Sequence, residues 1–184
     1  MKFSMIFFVT QGQAYDFEAR DGYIWAPCPS SKNQVNRFFW ENVALVKAGD
    51  IIIHYAGSIK GGISAISQAL TDAYNSPITS DLIQITKKKI KGVADWGSDG
   101  KRVDCNYITL KNKIPIKIFK NDILKFKSER YSAFNKNGGV CQGYLYELEK
   151  PLAARFTKKA VELNPYLSNY NFIMGTLKIL KTEL

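Results

Sequence analysis

Up to about residue 148 the apolar residues of this chain come in short runs, each cut off by glycine, proline or a polar turn. Beyond Pro151 they come at helical spacing instead. Runs of four to eight residues suit strands, and a strand-rich chain that finishes in helices is an α+β protein. Phe3–Val9 forms the first such run and ends in the polar stretch Thr10–Gln13. Residues 14–22 are polar and close on the turn Asp21-Gly22. Tyr23–Pro27 is a short strand stopped by its proline, because that ring removes a backbone donor. Residues 28–37 read as a polar loop. Ile51–Tyr55 and Ile63–Ala69 read as a hairpin, and Ile63–Ala69 alternates apolar with small residues as a half-buried strand does.

Residues 70–102 lack a clear period and carry the basic run Lys87–Lys91. Val103–Leu110 alternates again and predicts a strand. A short helix is expected over 119–128, a loop over 131–139, and a last strand over 142–148. Leu152, Phe156, Ala160 and Leu163 then trace one helical face, and Leu167, Tyr170, Met174 and Leu177 a second. Residues 1–150 are thus expected to be the folded domain. Residues 151–184 are expected to be a helical extension that packs on it or leads into an effector domain outside this chain.

The chemistry that most enzymes need is sparse. His54 is the sole histidine and falls within a predicted strand, which excludes a His-rich nuclease centre. There is no Walker-type loop and no GxGxxG. Cys28, Cys105 and Cys141 are far apart and lack metal-finger spacing, which leaves free thiols as the expectation. No catalytic residue, metal site or cofactor is expected. The apolar start is too short for a secretory signal, and no run reaches the ~20 residues that span a membrane. A cytoplasmic protein without membrane contact is expected. The formal charge of +10 favours a polyanionic partner, nucleic acid before an anionic membrane. Trp25 and Trp96 lie beside loops, where an indole has a packing or a binding reason to be.

The order of several motifs resembles the EVE domains of the PUA-like superfamily, relatives of the YTH readers. The motifs are Val9-Thr10-Gln11-Gly12, Gly22–Pro27, Trp40-Glu41-Asn42-Val43, Val46–Tyr55, Ile63–Ser67, Val103–Ile108, Phe134–Gly138 and Gln142–Leu145. The resemblance covers about residues 3–148. It implies a curved sheet or partial β-barrel flanked by helices, and a non-catalytic reader that flips a methylated or otherwise modified base into an aromatic cage. Trp25 and Trp96 match the cage walls. Gln11 stands where a polar side chain faces the base edge, and Tyr23, Asp104 and Asn106 are grouped with them. Lys32, Arg37, Lys60, Lys88, Lys91 and Lys136 are the candidate phosphate contacts. The implied partner is DNA bearing a modified base, with RNA as the alternative. The implied setting is a modification-dependent restriction or phage-defence system in which a nuclease or NTPase domain or subunit acts. Two indole faces can offset the few kcal/mol that base flipping costs. Replacing either tryptophan by alanine is expected to weaken modified-base binding by at least about tenfold and leave the fold intact. The non-nucleic-acid alternative is a protein-interaction module in which both indoles only pack.

Overall fold

The computed structural model describes residues 5–28, 38–57, 61–87 and 99–182. Its strands are β1 (Ile6–Gln11), β2 (Tyr23–Pro27), β3 (Ile51–Ala56), β4 (Gly62–Ala69), β5 (Tyr74–Pro77), β6 (Asp99–Ile114) and β7 (Leu145–Glu147). They form a sheet of order β2-β6-β4-β3-β1-β7, with β5 also paired to β6. The β1–β3 pair is parallel, and the other pairs are antiparallel. The helices are α1 (Tyr15–Asp21), α2 (Phe38–Glu41), α3 (Ser80–Lys87), α4 (Lys120–Phe126), α5 (Lys150–Leu163) and α6 (Asn171–Thr182). This is the α+β curled sheet flanked by helices that the sequence led us to expect.

The unbroken apolar runs of β1 and β3 follow from burial on both faces, which removes the polar alternation of a one-sided strand. Ile6, Phe8, Ile51 and Ile53 face one core with Ile66, Ile108, Ile123 and Phe134. Phe7, Val9 and Ile52 face the other with Ile24, Val43, Val103 and Leu145. Helices α5 and α6 belong to the first core. Leu152, Ala153, Phe156 and Ala160 of α5, and Ile173 and Leu180 of α6, are buried there with Leu167 between them. Phe156 packs 4.6 Å, centroid to centroid, from Phe119 and 6.1 Å from Phe8. The helical extension therefore completes the core of the sheet.

Several elements differ from the sequence expectation. Residues 14–22 contain helix α1 rather than only a polar loop. Tyr15 and Glu18 are its buried residues, and a single buried apolar side chain gives too weak a stripe to stand out. The stretch 70–102 holds β5 and α3. Strand β6 begins at Asp99 and runs to Ile114 because β2 and β5 pair with its first half and β4 with its second. The last strand shrinks to Leu145–Glu147. The helix expected over 119–128 is a 3-10 turn, Ile116–Phe119, followed by α4.

Two glycines set the geometry around β2. Gly22 takes the left-handed conformation that ends α1 (φ 69°), and its N–H caps the Glu18 carbonyl. Gly100 lies under the Trp25 indole. That ring reaches from β2 across β6, and its Nε1–H donates to the Ser76 carbonyl of β5 at 3.1 Å. A Cβ at position 100 would collide with the ring and come to 2.5 Å from the Ala26 carbonyl oxygen. Gly100→Ala is therefore expected to destabilise the fold by about 1–3 kcal/mol, the usual cost of overpacking. Urea denaturation checks this, and an unchanged midpoint would show that the indole does not lie there.

Candidate nucleic-acid interface

Strand β2 is an edge strand, and side chains satisfy its outer edge. The Trp25 backbone N–H is shared between Glu18 Oε1 at 3.0 Å and the Tyr144 hydroxyl at 2.9 Å. The Tyr144 hydroxyl in turn donates to Glu18 Oε1 at 2.5 Å. Glu18 comes from α1, and Tyr144 immediately precedes β7, so these bonds join β2 to the opposite end of the curled sheet. The second Glu18 oxygen accepts from Gln11 Nε2. Glu18 and His54 are fully buried, and Gln11 is 1 % exposed.

The network fixes its own proton positions. Gln11 Nε2 also donates to the Tyr107 hydroxyl at 3.2 Å, so its carbonyl oxygen faces His54 Nδ1 at 2.8 Å. A carbonyl only accepts, so His54 carries its proton on Nδ1. The bare Nε2 accepts from the Ser67 hydroxyl at 2.6 Å. The Tyr107 ring lies 4.1 Å from the imidazole, and its hydroxyl donates to the Tyr23 carbonyl at 3.0 Å. A bulge in β3 between His54 and Tyr55 turns the strand at this point.

Burial pushes Glu18 up to about 7, although Tyr144, Gln11 and the Trp25 N–H all favour its charged form. Burial pushes His54 down to about 3, so it is neutral at physiological pH. Burial also drives Tyr107 and Tyr144 well above the usual phenol range, and the Glu18 carboxylate adds to this. The site is therefore a locked hydrogen-bond frame, with no water-exposed base.

A second group stands on one face of β2 and β6. Tyr23 is paired with Asp104 and Trp25 with Arg102, and directly paired residues share a face. The Arg102 guanidinium lies 4.3 Å from the Tyr23 ring centroid, and its Nε bonds Asp104 at 2.8 Å. Tyr74 of β5 donates to the other Asp104 oxygen at 2.9 Å. Leu82 of α3 is buried with Tyr23 and Trp25, and Ile78 and Phe17 pack around them.

Of the six expected base-binding residues, Tyr23, Trp25 and Asp104 are thus brought together. Asn106 continues their face of β6 as an exposed residue opposite Gln68. Gln11 belongs to the buried network instead, with its amide hydrogen-bonded to Glu18, Tyr107 and His54. Trp96 lies outside the described residues, as do Lys32, Arg37, Lys60, Lys88 and Lys91. Lys136 is exposed. The expectation that Trp25→Ala leaves the fold intact needs correcting, because Trp25 is 3 % exposed and packed. Glu18, Tyr144, Tyr107, Ser67 and Arg102 were not foreseen. The signal for Glu18 was the helical spacing of Ala14, Tyr15 and Glu18, which puts all three on one side of a turn. Tyr144 and Ser67 carried no such local signal.

Among the described residues no three His, Cys, Asp or Glu side chains cluster as metal ligands would, and no helix is long and apolar enough to cross a membrane. A cavity of about 300 Å3 lies at the other end of β1, lined by Met5, Ile51, Leu148, Phe172, Gly175 and Ile179 among others. It includes none of the network residues.

No family model and no curated protein sequence matches the chain. Solved structures do. A hypothetical protein from Leishmania major superposes with a TM-score of 0.52 at 10% identity, over 87% of this chain and 96% of that one. A Pseudomonas putida protein superposes with a TM-score of 0.53 at 14% identity, over 84% and 99%. At such identities the likeness establishes a shared fold. Human THYN1, in a structure with DNA containing 5-methylcytosine, is a looser likeness, with a TM-score of 0.42 at 15% identity over 66% of this chain and 77% of that one.

The raised Glu18 pKa has a signed consequence. Its folded value, about 7, lies above its ordinary value of 4.5, so its contribution to stability fades as pH rises through that window. His54 works the other way, because its folded value lies below its ordinary 6.5, and its contribution fades as pH falls toward 3. Glu18→Gln puts an amide donor against the Gln11 donor and is expected to cost roughly 1–3 kcal/mol. The variant's deficit relative to the parent should shrink as pH rises from about 4.5 to 7. Denaturant midpoints of both proteins across that range measure it. A deficit that stays constant or grows would mean that Glu18 is not held protonated by burial.

Proposed function

We propose that this chain is an EVE-type reader of DNA bearing a modified base, and that it recognises rather than transforms its ligand. The observation that carries the reading is the β2/β6 face, where Tyr23, Trp25, Arg102 and Asp104 meet. The motifs Val9–Gly12, Gly22–Pro27, Val46–Tyr55, Ile63–Ser67 and Val103–Ile108 contribute to the strands that build this face and the frame behind it. In this reading a base extruded from the duplex lies against the Trp25 side of the face, with Trp96 as the second wall and Asp104 and Asn106 at the base edge. Phosphate contacts from the candidate lysines and arginine set the register of the duplex, and the pocket discriminates. Leu82 and Ile78 cover Trp25, so binding displaces the start of α3. A role as the specificity part of a restriction system fits a chain whose site is a closed hydrogen-bond frame. The cut would then be made by a nuclease or NTPase domain or subunit.

The decisive measurement is titration against matched duplexes that are unmodified, N6-methyladenine-bearing or 5-methylcytosine-bearing. Salt is held fixed, because a basic protein binds any DNA in a salt-dependent way. One modified duplex is expected to bind about tenfold or more tightly than the unmodified one, the scale of a single good stacking contact. Truncating Trp25 to alanine would cost about 3–5 kcal/mol of stability, so Trp25→Phe is the variant in which to read binding. It should fold and lose most of the preference. Equal affinity for all three duplexes would refute the reading, and preferential binding of a matched RNA would transfer it to RNA.

A further inference from the structure

Residues 117–136 hold six cations, Lys117, Lys120, Lys125, Lys127, Arg130 and Lys136, against two carboxylates, Asp122 and Glu129. Asp122 is taken by Arg155 at 2.7 Å. Elsewhere cations find partners: Arg20, Lys47, Arg102 and Lys159 are all in ion pairs. None of the six is in an ion pair among the described residues. Lys120, Arg130 and Lys136 are exposed. The turn that carries Lys136 sits on α4. A Cβ at Gly138 would lie 3.3 Å from Lys120 Cγ and 3.7 Å from Leu124. Asn135 Oδ1 holds this turn, accepting from the Asn137 and Gly139 N–H groups at 2.9 and 3.0 Å.

Tyr131 stands next to Arg130 with its backbone in the left-handed region (φ 58°), a conformation that tyrosine adopts at a cost. The residue is 72 % exposed, so core packing does not compensate for the strain. One side of the ring is braced edge-on against Phe38, with centroids 4.8 Å apart. Phe38 leans in turn on Phe39 and Tyr146. The result is an aromatic ring backed on one side and offered to solvent, next to Arg130 in a segment that also carries the exposed Lys120 and Lys136.

We infer that Tyr131 and the cations around it form a second DNA-contact surface. The Tyr131 ring stacks on a base freed from its pair, and Lys120, Arg130 and Lys136 hold flanking phosphates. The inference rests on the reader hypothesis for its ligand, and of its residues only Lys136 is shared with that reading. An exposed aromatic, backed on one side, in a segment with exposed cations is what binding to single-stranded or locally opened nucleic acid requires.

Tyr131→Gly separates the role from folding. Glycine accepts a positive φ freely, so the variant should be as stable as the parent or more so. Its affinity for the preferred duplex should fall about fivefold or more, while Tyr131→Phe stays within about twofold. Replacing Lys120, Arg130 and Lys136 together by glutamine should reduce the salt slope of binding by about one per cation. A parent that discriminates modified DNA alongside a Tyr131→Gly variant of unchanged affinity overturns the surface and leaves the reader intact. A parent without discrimination whose affinity still falls in Tyr131→Gly leaves the surface and removes the reader. A parent that binds no DNA removes both.

Discussion

The fold closes on one carboxylate. A curled sheet of order β2-β6-β4-β3-β1-β7 has two free edges, and a buried edge must have its backbone groups satisfied. Here the Trp25 N–H of β2 meets Glu18 and Tyr144 instead of another strand. One oxygen of Glu18 serves that edge, and the other holds Gln11 of β1. Strands β2 and β1, which share no ladder, are thereby tied by a single side chain. Burying a carboxylate away from water is costly unless donors surround it. Three donors do so here, and the cost shows in a pKa raised to about 7.

That carboxylate dictates what its neighbours can be. Gln11 must offer its NH2 to Glu18, which turns its carbonyl toward His54 and settles the imidazole tautomer. A neutral imidazole donates at one nitrogen and accepts at the other, so it can sit between the Gln11 carbonyl and the Ser67 hydroxyl with both nitrogens satisfied. The single histidine of the chain is thus explained by packing. Its depressed pKa keeps it uncharged beside the sheet interior. The concave face therefore changes from apolar, at Phe7, Val9 and Ile52, to a polar chain at Gln11, His54 and Ser67.

The strands were legible because burial on both faces writes itself as apolar runs. Ile51–Ala56 and Gly62–Ala69 lie within a residue of where periodicity put them. Helix α5 was legible because it buries a regular stripe, Leu152/Phe156/Ala160. Helix α6 buries Ile173/Thr176/Leu180 in place of the expected Met174 and Leu177 face, and Leu167 and Tyr170 precede that helix. Short elements were not legible. Helix α1 buries one apolar and one charged residue, and β5 has no buried residue, so neither produces a period. Trp25, Tyr23 and Asp104 were grouped by the family resemblance. Alternation puts Tyr23 with Trp25 on one face of β2, and Asp104 with Arg102 on one face of β6, but the pairing of β2 with β6 is written in neither strand. Arg102 shares that face by the same rule, but nothing local separates it from the other surface cations. The engagement of Gln11 could not be read at all. It depends on Glu18 and His54, 7 and 43 residues away along the chain, and no local pattern encodes such a meeting.

The frame and the face have different tolerances for change. The network holds the backbone of Trp25 but not its ring. The ring is placed by Gly100 beneath it and the Ser76 carbonyl at its tip. Residues 25 and 100 are therefore coupled, since a side chain at 100 excludes the indole and a small residue at 25 leaves an open groove over β6. Neither change touches Glu18 or its donors. Variation in this pair changes the shape of the β2/β6 face without removing a side chain from the Glu18 network.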